Sequence, residues 1–212
     1  MRITKYEHAT LVVEKDGRRL IIDPGSFTTQ LPDVTAVDAV VITHEHPDHF
    51  TAAHLRTILD ASPEATLYGP EGVAAAASDF DITVVQPGDE IDAGAFTLRF
   101  FGGTHSVIHW TVPIIDNVGV LVDDTLYYPG DSYAVPGGVD VEVLAAPIGA
   151  PWLKIGDAMD FVLGVQPRVA FGTHDRTLSP EGLAMHRQRL TWASEQGGGE
   201  FVPLKAGEAI DV

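Results

Sequence analysis

Apolar residues along this chain fall in short runs separated by Gly, Pro, Asp and Asn, with a few longer stretches in which they recur at helical spacing. Short runs between turn formers predict strands, and the longer stretches predict helices. Over the first forty residues, strands are expected at 2–6, 10–14 and 19–23. Lys15-Asp16-Gly17 folds the second onto the third, and Pro24-Gly25 closes it. Ala39-Val40-Val41-Ile42 is apolar without alternation, as in a strand covered on both faces. Residues 51–61 place Leu55, Ile58 and Leu59 on one helical face, and Ser62-Pro63 ends that helix. Strands are expected next at 66–68, 82–85, 90–92 and 96–101, with a short helix at 71–77.

From Asn117 onward the grammar is similar. A hairpin of 119–122 and 125–128 turns at Asp123-Asp124, followed by a buried strand at 141–144, a helix at 155–165 and a strand at 169–171. A helix at 180–196 begins with Pro180 and stops at Gly197-Gly198-Gly199, and 201–203 forms a last strand. Two halves of strands followed by helices predict an α/β fold with two sheets packed face to face and helices outside. No close internal repeat or long linker interrupts 1–212, so a single domain is expected.

Composition narrows the function. The formal charge is −17 with no cluster of Lys or Arg, which argues against nucleic acid as a partner because phosphate binding needs concentrated positive charge. No run approaches the roughly 18 apolar residues of a membrane span. Met1-Arg2-Ile3-Thr4 leads into strand-like sequence rather than a signal peptide, so a soluble cytoplasmic protein with no membrane partner is expected. The chain has no cysteine, which removes disulfides, thiolate zinc sites, iron–sulfur clusters and a cysteine nucleophile together. Any bound metal must be held by His, Asp or Glu.

The apolar strand at 39–42 runs into His44-Glu45-His46-Pro47-Asp48-His49, which gathers three of the nine histidines within six positions. Alternate residues of an extended segment point the same way, so His44 and His46 can face one ion. The turn begun by Pro47 can swing Asp48 and His49 toward a second. Three later turns each set a ligand-type residue close to glycine at a strand end: Gly102-Gly103-Thr104-His105, Pro129-Gly130-Asp131-Ser132 and Gly172-Thr173-His174-Asp175.

Taken as a set, these residues resemble the metallo-β-lactamase fold superfamily. His44, His46, Asp48 and His49 match its H-x-H-x-D-H motif, and His105, Asp131 and His174 match its later motifs in order and approximate spacing. The resemblance implies a four-layer αβ/βα sandwich of two mixed sheets, with a dinuclear centre at one edge. It implies that His44, His46 and His105 hold a first divalent ion, that Asp48, His49 and His174 hold a second, and that Asp131 and a water or hydroxide bridge them. Zn2+ is the foremost candidate, with Mn2+ or Fe2+ as alternatives. Asp48 would additionally orient the nucleophile or receive its proton. Asp23 in "IIDPG" matches an acidic residue that commonly precedes the motif, and it either orients a ligand or is an ordinary turn residue.

The segments "KYEHATLVV", "GGTHSVIHWTVPIIDNVGVLV", "YYPGDS", "APWLKIGDAMDFV" and "THDRTLSPEG" are similar to a compact bacterial branch of metallo-hydrolases near the L-ascorbate-6-phosphate lactonase-like group. That branch usually has Gly before the early histidine, where this chain has Glu7 before His8. His8, His109, Tyr133, Trp152 and Arg176 are candidates for lining a substrate pocket, and neither His8 nor His109 is needed as a ligand. His54 and His186 lie in expected helices and read as surface or packing residues.

The function implied is a metal-dependent hydrolase that uses activated water to cleave an ester, lactone or phosphodiester bond in a small molecule. The ligands do not choose the leaving group, because two-metal water activation serves C–O, C–N and P–O cleavage alike. An iron-dependent redox role is the alternative within the superfamily. Its reductases carry Glu in place of the second motif His and append a flavin domain, so His46 and the short chain disfavour that version. A non-enzymatic binding module is the third reading, although such members lose ligands that this chain retains.

Overall fold

The structure, a computed structural model, describes residues 1–29, 31 and 33–212. Its first sheet is built from β1 (Arg2–Lys5), β2 (Leu11–Lys15), β3 (Arg18–Ile22), β4 (Val37–Val41), β5 (Thr66–Gly69), β6 (Ile82–Val84) and, from the far end of the chain, β14 (Ala209–Asp211). The second holds β7 (Glu90–Ala93), β8 (Phe96–Thr104), β9 (Asp116–Val122), β10 (Leu126–Tyr128), β11 (Val143–Pro147), β12 (Val169–Thr173) and β13 (Glu200–Phe201). The orders are β14-β1-β2-β3-β4-β5-β6 and β13-β12-β11-β10-β9-β8-β7. Both sheets follow one plan, with three antiparallel pairings and then three parallel ones.

Strand alternation explains the layers. Leu11, Val13, Leu20, Ile22, Ala39 and Val41 face the second sheet, where Leu98, Phe100, Val118, Val120 and Val122 meet them in a shared core. The intervening Val12, Ile21 and Val40 turn the other way, onto Leu55 and Ile58 of α1 (Ala52–Ala61) and Val73 of α2 (Glu71–Ala76). On the outer face of the second sheet, Leu121, Tyr127, Leu144 and Ala170 pack on α3 (Ile155–Val165) and α4 (Pro180–Gln196) through Phe161, Val162, Leu190 and Ala193. The result is the expected αβ/βα sandwich. It also explains why the run at 39–42 lacks alternation, since helix covers one face of β4 and the other sheet covers its opposite face.

Helix starts follow their local sequence. Thr51 accepts from the His54 amide at the start of α1, and Ser179 accepts from the Gly182 amide ahead of α4, where Pro180 fills the first turn. Among the described residues, no helix is long and apolar enough to cross a membrane.

Besides small shifts at strand ends, three differences from expectation come from strand pairing. β14 was not expected; it is three residues long and owes its conformation to β1, pairing Arg2 with Asp211 and Thr4 with Ala209. The expected strand at 141–144 lies at Val143–Pro147, where parallel pairing with β12 sets the register. Gly102 and Gly103 stay inside β8, paired with Val118 and Asn117, rather than forming a turn after it.

Strand direction places the functional residues. Within the first sheet β1, β3 and β4 run the same way, and within the second β8, β10, β11 and β12 do. The segments bearing His8, Asp23 and His44–His49 therefore leave the first sheet at one edge. Those bearing His105, Asp131, Trp152 and His174 leave the second at one edge.

The inter-sheet core should dominate stability. Phe100→Ala, at a site 1 % exposed, is expected to cost about 3–5 kcal/mol in denaturant unfolding. Trp192→Ala, at a site 47 % exposed, should stay within about 0.5 kcal/mol of the parent.

Candidate metal centre

Two groups of side chains meet where these strand ends converge. His44, His46, His105 and Asp131 form one, and His8, Asp48, His49 and His174 the other, with one ligand-type atom from each residue lying within 4.8 Å of its companions. Asp131 joins the groups. Its Oδ2 lies 3.4 Å from His105 Nε2 and 3.2 Å from His174 Nε2, and its Oδ1 lies 3.3 Å from His49 Nε2. His44, His49, His105, Asp131 and His174 are buried, whereas His46 and Asp48 are partly exposed and open the centre to solvent.

The buried polar atoms His49 Nε2, His105 Nε2, His174 Nε2 and Asp131 Oδ1 have no hydrogen-bond partner among the described residues. Such atoms are costly unless something else satisfies them. A cation held among imidazole nitrogens and carboxylate oxygens does so, and the donor set fits zinc, manganese or iron.

Each ring is oriented from behind. Asp23 Oδ2 accepts His49 Nδ1–H at 2.6 Å and the Thr43 hydroxyl at 2.7 Å, while Asp23 Oδ1 accepts the Thr43 amide at 2.8 Å. With its proton given to Asp23, the Thr43 hydroxyl accepts His44 Nδ1–H at 3.0 Å. His105 Nδ1–H donates to the Ser106 carbonyl and His174 Nδ1–H to the Gly149 carbonyl. In all four rings the outer nitrogen donates a proton, so in a neutral ring Nε2 presents a lone pair to the centre. His46 points inward through Nδ1, 3.1 Å from His44 Nε2.

The backbone is shaped around this arrangement. A Cβ on Gly25 would collide with the Asp48 carbonyl and the His49 amide, so only glycine lets the 23–25 turn lie against the ligand loop. Gly130, at φ +64°, sits against Thr43 and Asn117, and Asn117 holds the same turn by donating to the Pro129 carbonyl and accepting from the Asp131 amide, both at 2.9 Å. Lys5 is buried and pairs with Asp175 at 3.0 Å, tying β1 to the residue after His174. Three centre residues, His8 (φ +60°), Asp23 (φ +48°) and His174 (φ +57°), adopt left-handed backbone, which side chains other than glycine rarely do and which clusters at functional sites.

Charge is concentrated here. Burial pushes His44 well below its ordinary value and lowers His46. Burial also opposes protonation of His49 and His174, yet Asp131 and Asp23 hold His49 well above its usual range, and Asp131 with Asp48 raises His174 to about 9. Against the raising effect of burial, the neighbouring His174 and His8 keep Asp48 well below the ordinary carboxylate range, and the charge of His49 and His174, with His105, does the same for Asp131. Without a cation, protons on the histidines balance the carboxylates.

The remaining sequence candidates divide. Asp23 is more than a turn former, because its carboxylate orients the His49 ring and Thr43. His8, expected at a substrate pocket, is instead fully buried within the cluster, its Nε2 3.1 Å from Asp48 Oδ2. Trp152, also expected to line the pocket, reaches the centre by donating Nε1–H to Asp131 Oδ2 at 2.9 Å. Tyr133 packs between Trp152 and Phe161, with ring centroids 5.3 Å and 5.9 Å away. The Arg176 side chain reaches the Phe27 carbonyl at 3.2 Å. His109 is not brought to the cluster; it is exposed and paired with Thr111 Oγ1 at 2.7 Å. His54 and His186 bond the Pro24 and Ile148 carbonyls, packing roles beside the centre's loops. Thr43, Asn117 and Lys5 were missed. For Thr43 the only local sign was its position beside His44, and for Asn117 and Lys5 there was none.

A four-layer αβ/βα sandwich with a His- and Asp-rich centre at one edge defines a metallo-β-lactamase-fold protein. The family model described as a β-lactamase superfamily domain matches residues 2–174, and the chain belongs to that family. It is 38 % identical to protein Rv0786c of Mycobacterium tuberculosis over 90 % of this chain and 92 % of the relative. It is 27 % identical to a UPF0173 metal-dependent hydrolase of Salinibacter ruber over 85 % of this chain and 87 % of that one. Among solved structures, a metal-dependent hydrolase structure from Parabacteroides distasonis superposes with a TM-score of 0.78 at 17 % identity, covering 96 % of this chain and 92 % of that one, which bears on the fold alone.

Two outcomes follow from this geometry. Metal binding requires neutral imidazoles, so loading should release protons held by His174 and His49, and the apparent affinity should rise by up to about tenfold per pH unit for each proton displaced. The His174 contribution should level off above pH about 9, as read by titration calorimetry in buffers of different ionisation enthalpy. Asp23→Ala, which frees the His49 ring, should weaken metal affinity by about 10–100-fold in chelator competition.

Proposed function

We propose that the centre holds two divalent ions and that the chain hydrolyses an ester or lactone bond in a small molecule. The observation carrying this reading is the set of buried nitrogens and one carboxylate oxygen without partners, aimed between two groups that share Asp131. His44, His46 and His105 would hold the first ion, Asp48, His49 and His174 the second, and Asp131 both. Divalent ions bound in this way bring water toward ionisation at neutral pH and polarise a substrate oxygen.

The chain's own residues do the rest. Asp48, on the open side, is placed to accept a hydrogen bond from the attacking water and orient it. Its low affinity for protons suits orientation better than proton storage. Trp152 fixes Asp131 through its indole N–H, and the buried rings around it exclude bulk water from all but the side marked by His46 and Asp48.

The rim suggests which bond is cut. The loop after His105 is closed at its base by the His105 amide on the Ile115 carbonyl at 3.0 Å and exposes Val107, Ile108, Trp110, Val112 and Ile114. Clustered exposed apolar residues beside a site mark binding of apolar groups. Lys5 is occupied by Asp175, Arg176 faces Glu7 across 3.9 Å, and the chain carries a formal charge of −17. An uncharged ester or lactone fits these surroundings better than a phosphodiester. The name metal-dependent hydrolase borne by the Salinibacter relative agrees with the reaction class.

Elemental analysis of protein purified without chelator should find about two transition-metal ions per chain, the number a two-metal hydrolase needs. A panel of lactones, esters, thioesters, β-lactams and phosphodiesters should give turnover with apolar esters or lactones. His46→Ala and Asp131→Ala should each lower kcat/KM by at least about a hundredfold while leaving the circular-dichroism spectrum unchanged. Turnover that survives complete metal removal would refute the mechanism.

A further inference from the structure

His8 occupies a position that distance alone does not interpret. One of its ring nitrogens lies within 4.8 Å of ligand-type atoms of Asp48, His49 and His174, which would admit it as one more metal ligand. The other ring nitrogen decides otherwise. His44, His49, His105 and His174 each turn Nδ1 toward an oxygen, which takes that proton and frees Nε2. His8 turns Nδ1 toward a donor, the Arg176 amide, at 3.4 Å. A ring whose Nδ1 accepts must carry its proton on Nε2, and a protonated nitrogen has no lone pair for a metal.

From this we infer that His8 is a positioning residue and not a ligand: its Nε2–H donates to Asp48 Oδ2 and aims that carboxylate, a role resting on the reading of Asp48 as a ligand. The surrounding contacts suit the role. The His8 carbonyl accepts the His174 amide at 2.8 Å, and the His8 ring lies against the His174 ring with centroids 3.9 Å apart. On its other side the ring meets the edge of Phe27 at 4.7 Å. His8 thus joins Asp48, delivered by the first sheet, to His174, delivered by the second. Its left-handed backbone at φ +60° is what turns carbonyl and ring toward both.

The test separates donor from ligand. In zinc-loaded protein labelled with 15N-histidine, the His8 ring, assigned by its loss in His8→Gln, should show a protonated Nε2 and an unprotonated Nδ1, opposite to the four buried ligand rings. His8→Ala should weaken one ion by about 10–100-fold, as loss of an outer partner does. His8→Gln, whose amide can donate but ligates poorly, should restore that affinity and leave the visible spectrum of the cobalt-substituted protein unchanged. His8→Glu, which can ligate but not donate, should not restore it. A protonated Nδ1 on His8, or affinity kept by Glu and lost with Gln, would overturn the inference while leaving the two-ion reading intact. Wild-type protein that takes up no metal would overturn both.

Discussion

Five imidazoles packed against two carboxylates can serve as ligands only if each ring's single proton is drawn to the outside. The frame around the centre supplies that pull for the four buried rings. Asp23, the Thr43 hydroxyl and the carbonyls of Ser106 and Gly149 each accept an Nδ1–H, which leaves Nε2 facing inward with a lone pair once the ring is neutral. Moving one of these oxygens would let a ring adopt its other tautomer and would remove a lone pair without moving the ring. In the proposed centre the ligand set is therefore decided by groups that never touch a metal.

The sandwich exists, in this sense, to hold those oxygens still. The shared core between the sheets fixes one set of strand ends against the other, and the helix-facing cores keep each sheet from bending away. Left-handed backbone at His8, Asp23 and His174 costs about 1–3 kcal/mol at each position, and it persists because the surrounding packing leaves no relaxed alternative. Links from the first sheet's edge complete the frame. Lys5 reaches Asp175, and the His8 carbonyl takes the His174 amide, so His174 is held by both sheets.

Much of this was legible in the sequence, for a physical reason. A candidate ligand at a strand end sits in a short local pattern, an apolar run leading into His44–His49 and a glycine close to His105, Asp131 and His174. The layers were legible too, because burial on one face or two writes itself into alternation. What escaped depends on distant pairing. β14 takes its shape from β1 at the opposite end of the chain. The role of Lys5 depends on Asp175, and that of Trp152 on Asp131. Asn117 looks like any polar residue near a strand until its side chain is seen bracing the turn that carries Asp131. His8 and His109 looked alike as histidines near motifs, yet one is buried in the centre and the other is exposed on a loop.

The central claim is that outer oxygens commit this cluster to two ions with a defined division of ligands. Anomalous diffraction at the zinc edge from zinc-loaded crystals tests it most directly. The account predicts two peaks, one contacted by His44, His46 and His105, the other by Asp48, His49 and His174, with Asp131 reaching both and His8 neither. A single peak, or a peak ligated by His8 in place of His49 or His174, would contradict it.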